Sequence, residues 1–372
     1  MVGFLLGGAA ALAGGALLGR SGEMDASLEV RLRMPMRHLS ATVVEPTYVG
    51  KYLPPWEKPP WATTPGGTVL IPSTANPLLL EPMMRRTQRD GGRVVIDSDA
   101  NLFAADAKHF VSVMLFQMSW GPMTASEAAT WQSKYASMIR AADAVTVASP
   151  ALADVYCDSG AKEVFVVSNS IDPTQWESTI PIRPDVFAIG YAGGPGHEDS
   201  LELIRPALQW ASAQDVQEDL HVVLYGIGRA PAGWNFPYAL APYTPSYAEY
   251  RGTLTEQFDV GLMPLTDTPY NRGRSDLKLM EYAMAGALPI VQDMPNYAEW
   301  RDTPVLFARD ADEFTEHVQW AATHRDEVRE RADAVREIVL RTRTISHTIE
   351  RWRAAVAPAG GVPTESQAAA RY

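Results

Sequence analysis

Charged residues of both signs gather in one otherwise apolar stretch, NRGRSDLKLMEYAMAGA, at Asn271–Ala287. Arg272, Arg274 and Lys278 bring positive charge to its first half, and Glu281 adds a carboxylate one turn deeper. An apolar run ending at Pro264 precedes the stretch, and a second run, Ala287–Val291, follows it. Both runs read as buried strands of a parallel sheet, so the segment between them is an entry loop and a crossover helix. The pattern predicts a helix that begins near Ser275 as N-cap, holds Asp276 in its first turn and reaches Gly286 at its C-cap. Leu277, Met280 and Met284 recur at helical spacing and face the sheet. Lys278, Glu281 and Tyr282 lie three and four residues apart on another stripe. The free N–H groups and dipole of a helix N-terminus after a strand favour phosphate. Glu281 offers two oxygens that can accept both hydroxyls of a ribose. Cations with a diol acceptor behind them describe a nucleoside diphosphate site. The same residues also fit a solvated helix face with a Lys278–Glu281 pair.

The elements that must position this stretch follow a βα alternation. Leu28–Leu39 reads as a helix that starts or kinks at Pro35, and Thr42–Val44 as a short strand. Thr68–Ile71 and Arg93–Ile96 read as strands around a helix over Pro77–Asp90. The second of these strands runs into Asp97, Ser98 and Asp99, with Asn101 close by. Ligands of open α/β sheets bind outside the carboxyl ends of strands, so Asp97 and Asp99 are candidates to hold acceptor hydroxyls. Helix capping is the other role open to them, and a metal needs more oxygen ligands than gather there. A helix over Ala125–Ala141, a strand at Val145–Val147, a helix over Pro150–Asp158 and a strand at Val164–Val167 complete a parallel sheet. Pro173, Pro181 and Pro184 then mark a linker.

A second alternation opens at Phe187–Tyr191. Gly193 and Gly194 follow, glycines that let a substrate approach the backbone. His197, ahead of a helix over Ser200–Ala213, is placed to meet a diphosphate or to cap a turn. Val222–Leu224 leads into Gly226, Gly228 and Arg229. Pro231 stands where a third glycine would complete a dinucleotide fingerprint, so that motif is absent and Arg229 is a second-choice phosphate cation. A helix over Tyr243–Leu254 and a strand at Val260–Met263 deliver the charged stretch. Asn296–Trp300, a strand at Val305–Phe307, charged helices from Asp310 to Leu340 and a helix over Ser346–Val356 follow it.

The stretch Ser275–Val291 resembles the donor-binding helix of GT-B glycosyltransferases, in the retaining group often called glycosyltransferase family 4. Ala142–Leu152 (ADAVTVASPAL) resembles the strand and helix start that close the family's N-terminal domain. Val164–Asp172 (VFVVSNSID) resembles its strand into the linker. With Ile189–Gly194, the similarity covers roughly residues 90 to 355 in the family's order. The resemblance implies an α/β GT-B fold: two Rossmann-like domains with parallel sheets facing a central cleft, and a C-terminal helix crossing back to the first. On this pattern residues 1–172 form the acceptor-side domain, 173–185 the linker and 186–343 the nucleotide-sugar domain. Residues 344–356 form the crossover helix and 357–372 a mobile tail. The donor is a nucleoside-diphosphate sugar, UDP- or GDP-linked. The acceptor hydroxyl belongs to a protein, glycan or lipid. Arg274, Lys278 and the N–H groups of Ser275 and Asp276 take the leaving diphosphate, and Glu281 takes the ribose. Gly193, Gly194 and His197 line the opposite wall, and Arg229 is a further phosphate candidate. Asp97, Asp99, His197 and Lys278 are the candidates for catalysis. Retention of configuration and no metal requirement are implied as well. In many relatives a glutamate stands eight positions before the ribose glutamate; here that position is Gly273. This departure keeps open a GT-B nucleotide-sugar epimerase and a non-catalytic module that binds a nucleotide sugar or a protein.

Composition agrees with such a protein. A chain of 372 residues suffices for two α/β domains. With 46% hydrophobic residues, 10 Trp and 14 Tyr, it has ample bulk to bury. A formal net charge of −12 argues against nucleic acid as partner. The single cysteine, Cys157, excludes an internal disulfide and a cysteine-based zinc site, and points to a reducing, cytoplasmic setting. The uncharged residues 1–19 read as a strand (Val2–Leu6) and a Gly/Ala loop, or as a membrane anchor. They lack a basic n-region and barely reach the ~20 residues a spanning helix needs. Leu53–Gly67, dense in proline, reads as a surface loop whose Trp56 and Trp61 stack on an acceptor or pin the loop to the core.

Overall fold

The computed structural model describes residues 2–4, 29–39, 68–73, 77–105, 124–176, 186–194, 198–227, 231–241 and 246–357. The chain divides into two compact units. One comprises Met1–Ser170, Gly273–Ser275 and Ile345–Tyr372; the other comprises Ile171–Arg272 and Asp276–Thr344. The predicted strand at Thr42–Val44, Trp56, Trp61, most of the linker and the tail lie outside the described residues.

The first unit is built on a parallel sheet in the order β1-β2-β3-β4-β5: Val2–Phe4, Thr68–Pro72, Arg93–Ser98, Ala144–Val147 and Val164–Val166. Val94, Val95 and Ile96 are buried without alternation, as expected for strands covered on both faces. A π-helical turn at Glu29–Arg33 leads into α1, Met34–His38, with Pro35 in its first turn. Proline lacks the N–H that a helix start leaves unpaired, so it sets where α1 begins. Further helices are α2 (Pro77–Arg89), α3 (Ala125–Ala141) and α4 (Pro150–Asp158). Thr124 and Glu127 form a reciprocal capping box at the start of α3. Ser149 caps α4, with Pro150 at its first position. The terminal helix, Ile345–Ala355, groups with this unit, and its Trp352 is 1% exposed.

The second unit's sheet runs β11-β10-β9-β6-β7-β8. In chain order these are β6 (Phe187–Ala192), β7 (Leu220–Tyr225), β8 (Ala239–Ala241), β9 (Val260–Met263), β10 (Leu288–Gln292) and β11 (Leu306–Ala308). β6 pairs in parallel with β7 on one side and β9 on the other. The winding reverses between β6 and β9, so the crevice outside their carboxyl ends is the topological switch point.

The helices of this unit are α5 (Glu198–Leu201), α6 (Arg205–Glu218), α7 (Tyr247–Gln257), α8 (Leu277–Met284), α9 (Ala311–Thr323) and α10 (Arg325–Thr342). The single helix expected at Ser200–Ala213 is two, because Pro206 in the first turn of α6 restarts the ladder. α7 begins at Tyr247 rather than Tyr243, where the Ser246 side chain accepts from the N–H of Glu249. Strand β8 had no counterpart in the sequence reading.

Candidate functional site

The second unit carries its polar side chains at the switch point because α8 follows β9 there and Gly193 and Gly194 follow β6. α8 starts later than expected. Asp276 occupies the N-cap, so Ser275 lies ahead of the helix rather than capping it. The Asp276 carboxylate does not cap either. It accepts from the Trp300 indole at 3.1 Å and pairs with Arg343 at 3.6 Å. Burial raises its pKa against the pull of Arg343. The two partners turn this side chain away from the helix N–H groups, which leaves those groups uncovered by it.

Lys278, in the first turn of α8, is half-buried. Its ammonium donates to the carbonyl of Ala192, the last residue of β6, and lies 5.5 Å from the Tyr191 ring centroid. The lysine therefore stands beside Gly193 and Gly194. Glu281, one turn on, is 2% exposed. Its Oε2 accepts from the Tyr250 hydroxyl at 3.0 Å. Tyr247 stands beside the same carboxyl, and both tyrosine hydroxyls favour its charged form. Burial raises the Glu281 pKa, and Lys278 on the same helix opposes the shift. The solvated-face reading of Lys278 and Glu281 is thereby corrected: Glu281 is buried, and Lys278 is half-buried and bonded to the end of β6.

The loop between β9 and α8 is internally braced. The Asn271 side-chain amide donates to the Thr266 carbonyl at 2.9 Å, and the N–H of Thr266 donates to the Ser200 hydroxyl at 3.2 Å. Arg272 pairs with Asp267 at 2.6 Å on the surface, so its charge is directed to that carboxylate. Arg274 and Ser275 are half-buried and, with Gly273, group with the first unit. His197 and Arg229 lie outside the described residues.

In the first unit, β3 extends through Asp97 and Ser98, two residues beyond the strand expected. Asp97 is 5% exposed and committed to structure. Its carboxylate pairs with Arg31 at 2.6 Å and accepts from the Thr146 hydroxyl at 2.6 Å. Arg31 also donates to the Val167 carbonyl and to Asn169, and its guanidinium lies 5.1 Å from the Trp352 ring centroid. Asp97 as an open acceptor-binding acid is corrected accordingly. Asp99 sits in the bend after β3 and is half-buried. Beneath it, Tyr156 donates to the Ser98 hydroxyl at 2.6 Å, and the Tyr135 and Tyr156 hydroxyls lie 2.8 Å apart.

Among the described residues, no group of three or more His, Cys, Asp or Glu could hold a metal ion, and no helix is long and apolar enough to cross a membrane.

Residues 205–354 match a family model described as "Glycosyl transferase-like". A 55-residue segment is 42% identical to starch synthase 2, chloroplastic/amyloplastic, of Arabidopsis thaliana, covering 15% of this chain and 6% of the synthase. Among solved structures, the HepE protein of Anabaena in complex with UDP-glucose is similar over 94% of this chain and 97% of its own, with a TM-score of 0.56 and 11% identity. TarM of S. aureus, solved as a variant with UDP, fondaparinux and α-GlcNAc-glycerol, is similar over 78% of this chain and 55% of its own, with a TM-score of 0.54 and 11% identity. OtsA is similar over 79% and 73%, with a TM-score of 0.52 and 13% identity. The chain thus spans a small fraction of the starch synthase and about half of TarM.

The fold is GT-B. The segment that matches the glycosyl transferase-like model includes all of α8. Two side-chain pairings had no separate signal in the sequence. Tyr250 of α7 holds Glu281, and Arg31 neutralises Asp97; both partners are distant in sequence, so only the fold reveals them.

Proposed function

We propose that the protein transfers a sugar from a nucleoside-diphosphate sugar to an acceptor hydroxyl, with the donor seated on the second unit at the ends of β6 and β9. The observation that carries this reading is Glu281: a carboxylate 2% exposed, held by tyrosines of α7, one helical turn behind Lys278 at the switch point. A ribose diol donates to this carboxylate, and a diphosphate lies toward the ammonium and the start of α8. Lys278 and the N–H groups at that helix start stabilise charge on the departing diphosphate while the sugar becomes oxocarbenium-like. Arg274, two residues before the N-cap, is the next cation in the chain.

The donor we favour is a UDP- or GDP-sugar; HepE and TarM were solved with UDP or its sugar. Retention of configuration and activity without a metal ion complete the proposal, with the positive charge supplied by side chains and helix N–H groups. The acceptor is a protein, glycan or lipid hydroxyl. Gly193 and Gly194 form the wall facing Lys278, and Asp99 and His197 are the acceptor-side and diphosphate-side candidates. The single Cys157 fits a reducing, cytoplasmic setting.

The test is transfer of labelled sugar from UDP- and GDP-linked donors to cell extract in the presence of EDTA. The proposal predicts product from one donor class with wild-type protein and none with Glu281→Ala. Equal product from both proteins would reject the site.

A further inference from the structure

One residue at the switch point is held through both its N–H and its carbonyl by the same helix. The N–H of Ala192 donates to the Tyr282 hydroxyl at 2.7 Å, and its carbonyl accepts from Lys278. Lys278 and Tyr282 stand four apart on α8, so both side chains reach one spot. The Tyr282 ring has little freedom. It is fully buried, packs against Phe258 with centroids 5.7 Å apart, and covers Gly261 of β9. A Cβ added at Gly261 would come within 2.4 Å of the ring, so glycine makes room for it. Beyond Ala192, a Cβ at Gly193 would lie 2.2 Å from the Tyr191 hydroxyl. The N–H of Gly193 donates to the Tyr225 carbonyl at 3.0 Å. The Ala192–Gly193 wall is therefore fixed between two tyrosines, and the ammonium of Lys278 is tied to it.

We propose that Tyr282 is a positioning residue of the donor site. By fixing Ala192 it sets the separation between the Gly193–Gly194 wall and the Lys278 ammonium, and with it the seat of the diphosphate. The inference rests on the reading of α8 as the donor helix. The bond to Ala192 fixes where the ammonium stands. Removing the phenolic oxygen leaves the Ala192 N–H without its acceptor, so the strand end shifts and Lys278 shifts with it. Glu281 is anchored separately, by Tyr250 of α7, and keeps its geometry. The β-phosphate contacts should therefore weaken while the nucleoside contacts do not.

The experiment is calorimetric titration of wild type and Tyr282→Phe with UDP and UMP, and with GDP and GMP, alongside melting curves. Phenylalanine keeps the ring over Gly261, and the monophosphate titration checks that the site is intact. The expected result is a loss of about tenfold in diphosphate affinity, with monophosphate affinity within about twofold of wild type, the scale of one displaced hydrogen bond. Equal diphosphate affinity in both proteins would overturn the positioning role alone. Parallel loss of mono- and diphosphate affinity would overturn it too, as the mark of a merely structural residue. Failure of the wild type to bind any of the four nucleotides would remove the donor-site reading, and this inference with it.

Discussion

At the scale of residues, two side chains one turn apart on α8 divide the work of the proposed site. Lys278 faces the end of β6, and Glu281 is sealed beneath α7. A charge-assisted hydrogen bond contributes roughly 1.5–3 kcal/mol. Loss of one from the transition state corresponds to about a 10- to 150-fold drop in rate. Lys278→Ala should therefore lower kcat/KM for transfer by that range and leave the melting temperature nearly unchanged; steady-state kinetics with the responsive donor measures it. Glu281 also makes a prediction about pH. Burial raises its pKa from 4.5, so the folded protein binds this proton more tightly than the unfolded chain. Its contribution to stability is therefore present at low pH and is lost as pH rises through the folded value. Glu281→Gln abolishes that titration. As pH rises above 4.5 the urea midpoint of wild type should fall relative to that of the variant. A constant gap between the two curves would mean that the carboxyl is not held up in the folded state.

At the scale of elements, the sequence was most readable where the pattern is local. α3, α4 and β9 begin and end where spacing and punctuation place them, because Thr124, Ser149 and Pro150 mark helix starts. The sequence was least readable where one element answers another. Nothing in the Arg31 segment says that its guanidinium crosses to Asp97 on β3, or that Trp352 of the terminal helix covers it. Asp97 consequently read as an open acid at a strand end. The same gap hid the Tyr250–Glu281 pair and the clamp on Ala192, and it displaced the start of α8 by promoting Ser275 over Asp276. The Arg31 bridge joins the π-helical turn, β3 and the terminal helix within one unit. Removing one partner of a buried ion pair typically costs ~3–5 kcal/mol. Arg31→Ala should lower the stability of the first unit by that amount in urea unfolding. Replacing both Arg31 and Asp97 with apolar residues should recover much of it, because no uncompensated charge then remains.

At the scale of the whole molecule, the βα alternation and the order of the motifs made the GT-B fold legible, and the two parallel sheets carry it. Donor, acceptor and stereochemistry were not legible, since they depend on side chains that a fold does not specify. Each unit has its own sheet and its own buried core, which makes the ligand response local. A nucleotide at about a hundred times its Kd adds ~2.7 kcal/mol to whatever it binds. For a domain of ~150–250 residues this is roughly a 5–10 °C rise in melting temperature. Calorimetric scanning should show that rise in the transition of the second unit. A rise confined to the first unit would place the ligand elsewhere.

The most direct test of the account is a binding titration of the full chain with UDP, GDP and ADP in EDTA, repeated with Glu281→Ala and with the 2′-deoxy form of the nucleotide that responds. The account predicts that one nucleoside diphosphate binds without metal, and that both the Glu281 variant and the deoxy nucleotide weaken binding by about tenfold or more, as removal of a hydrogen bond to a buried charged group should. Absence of binding by all three, or binding indifferent to Glu281, would contradict it.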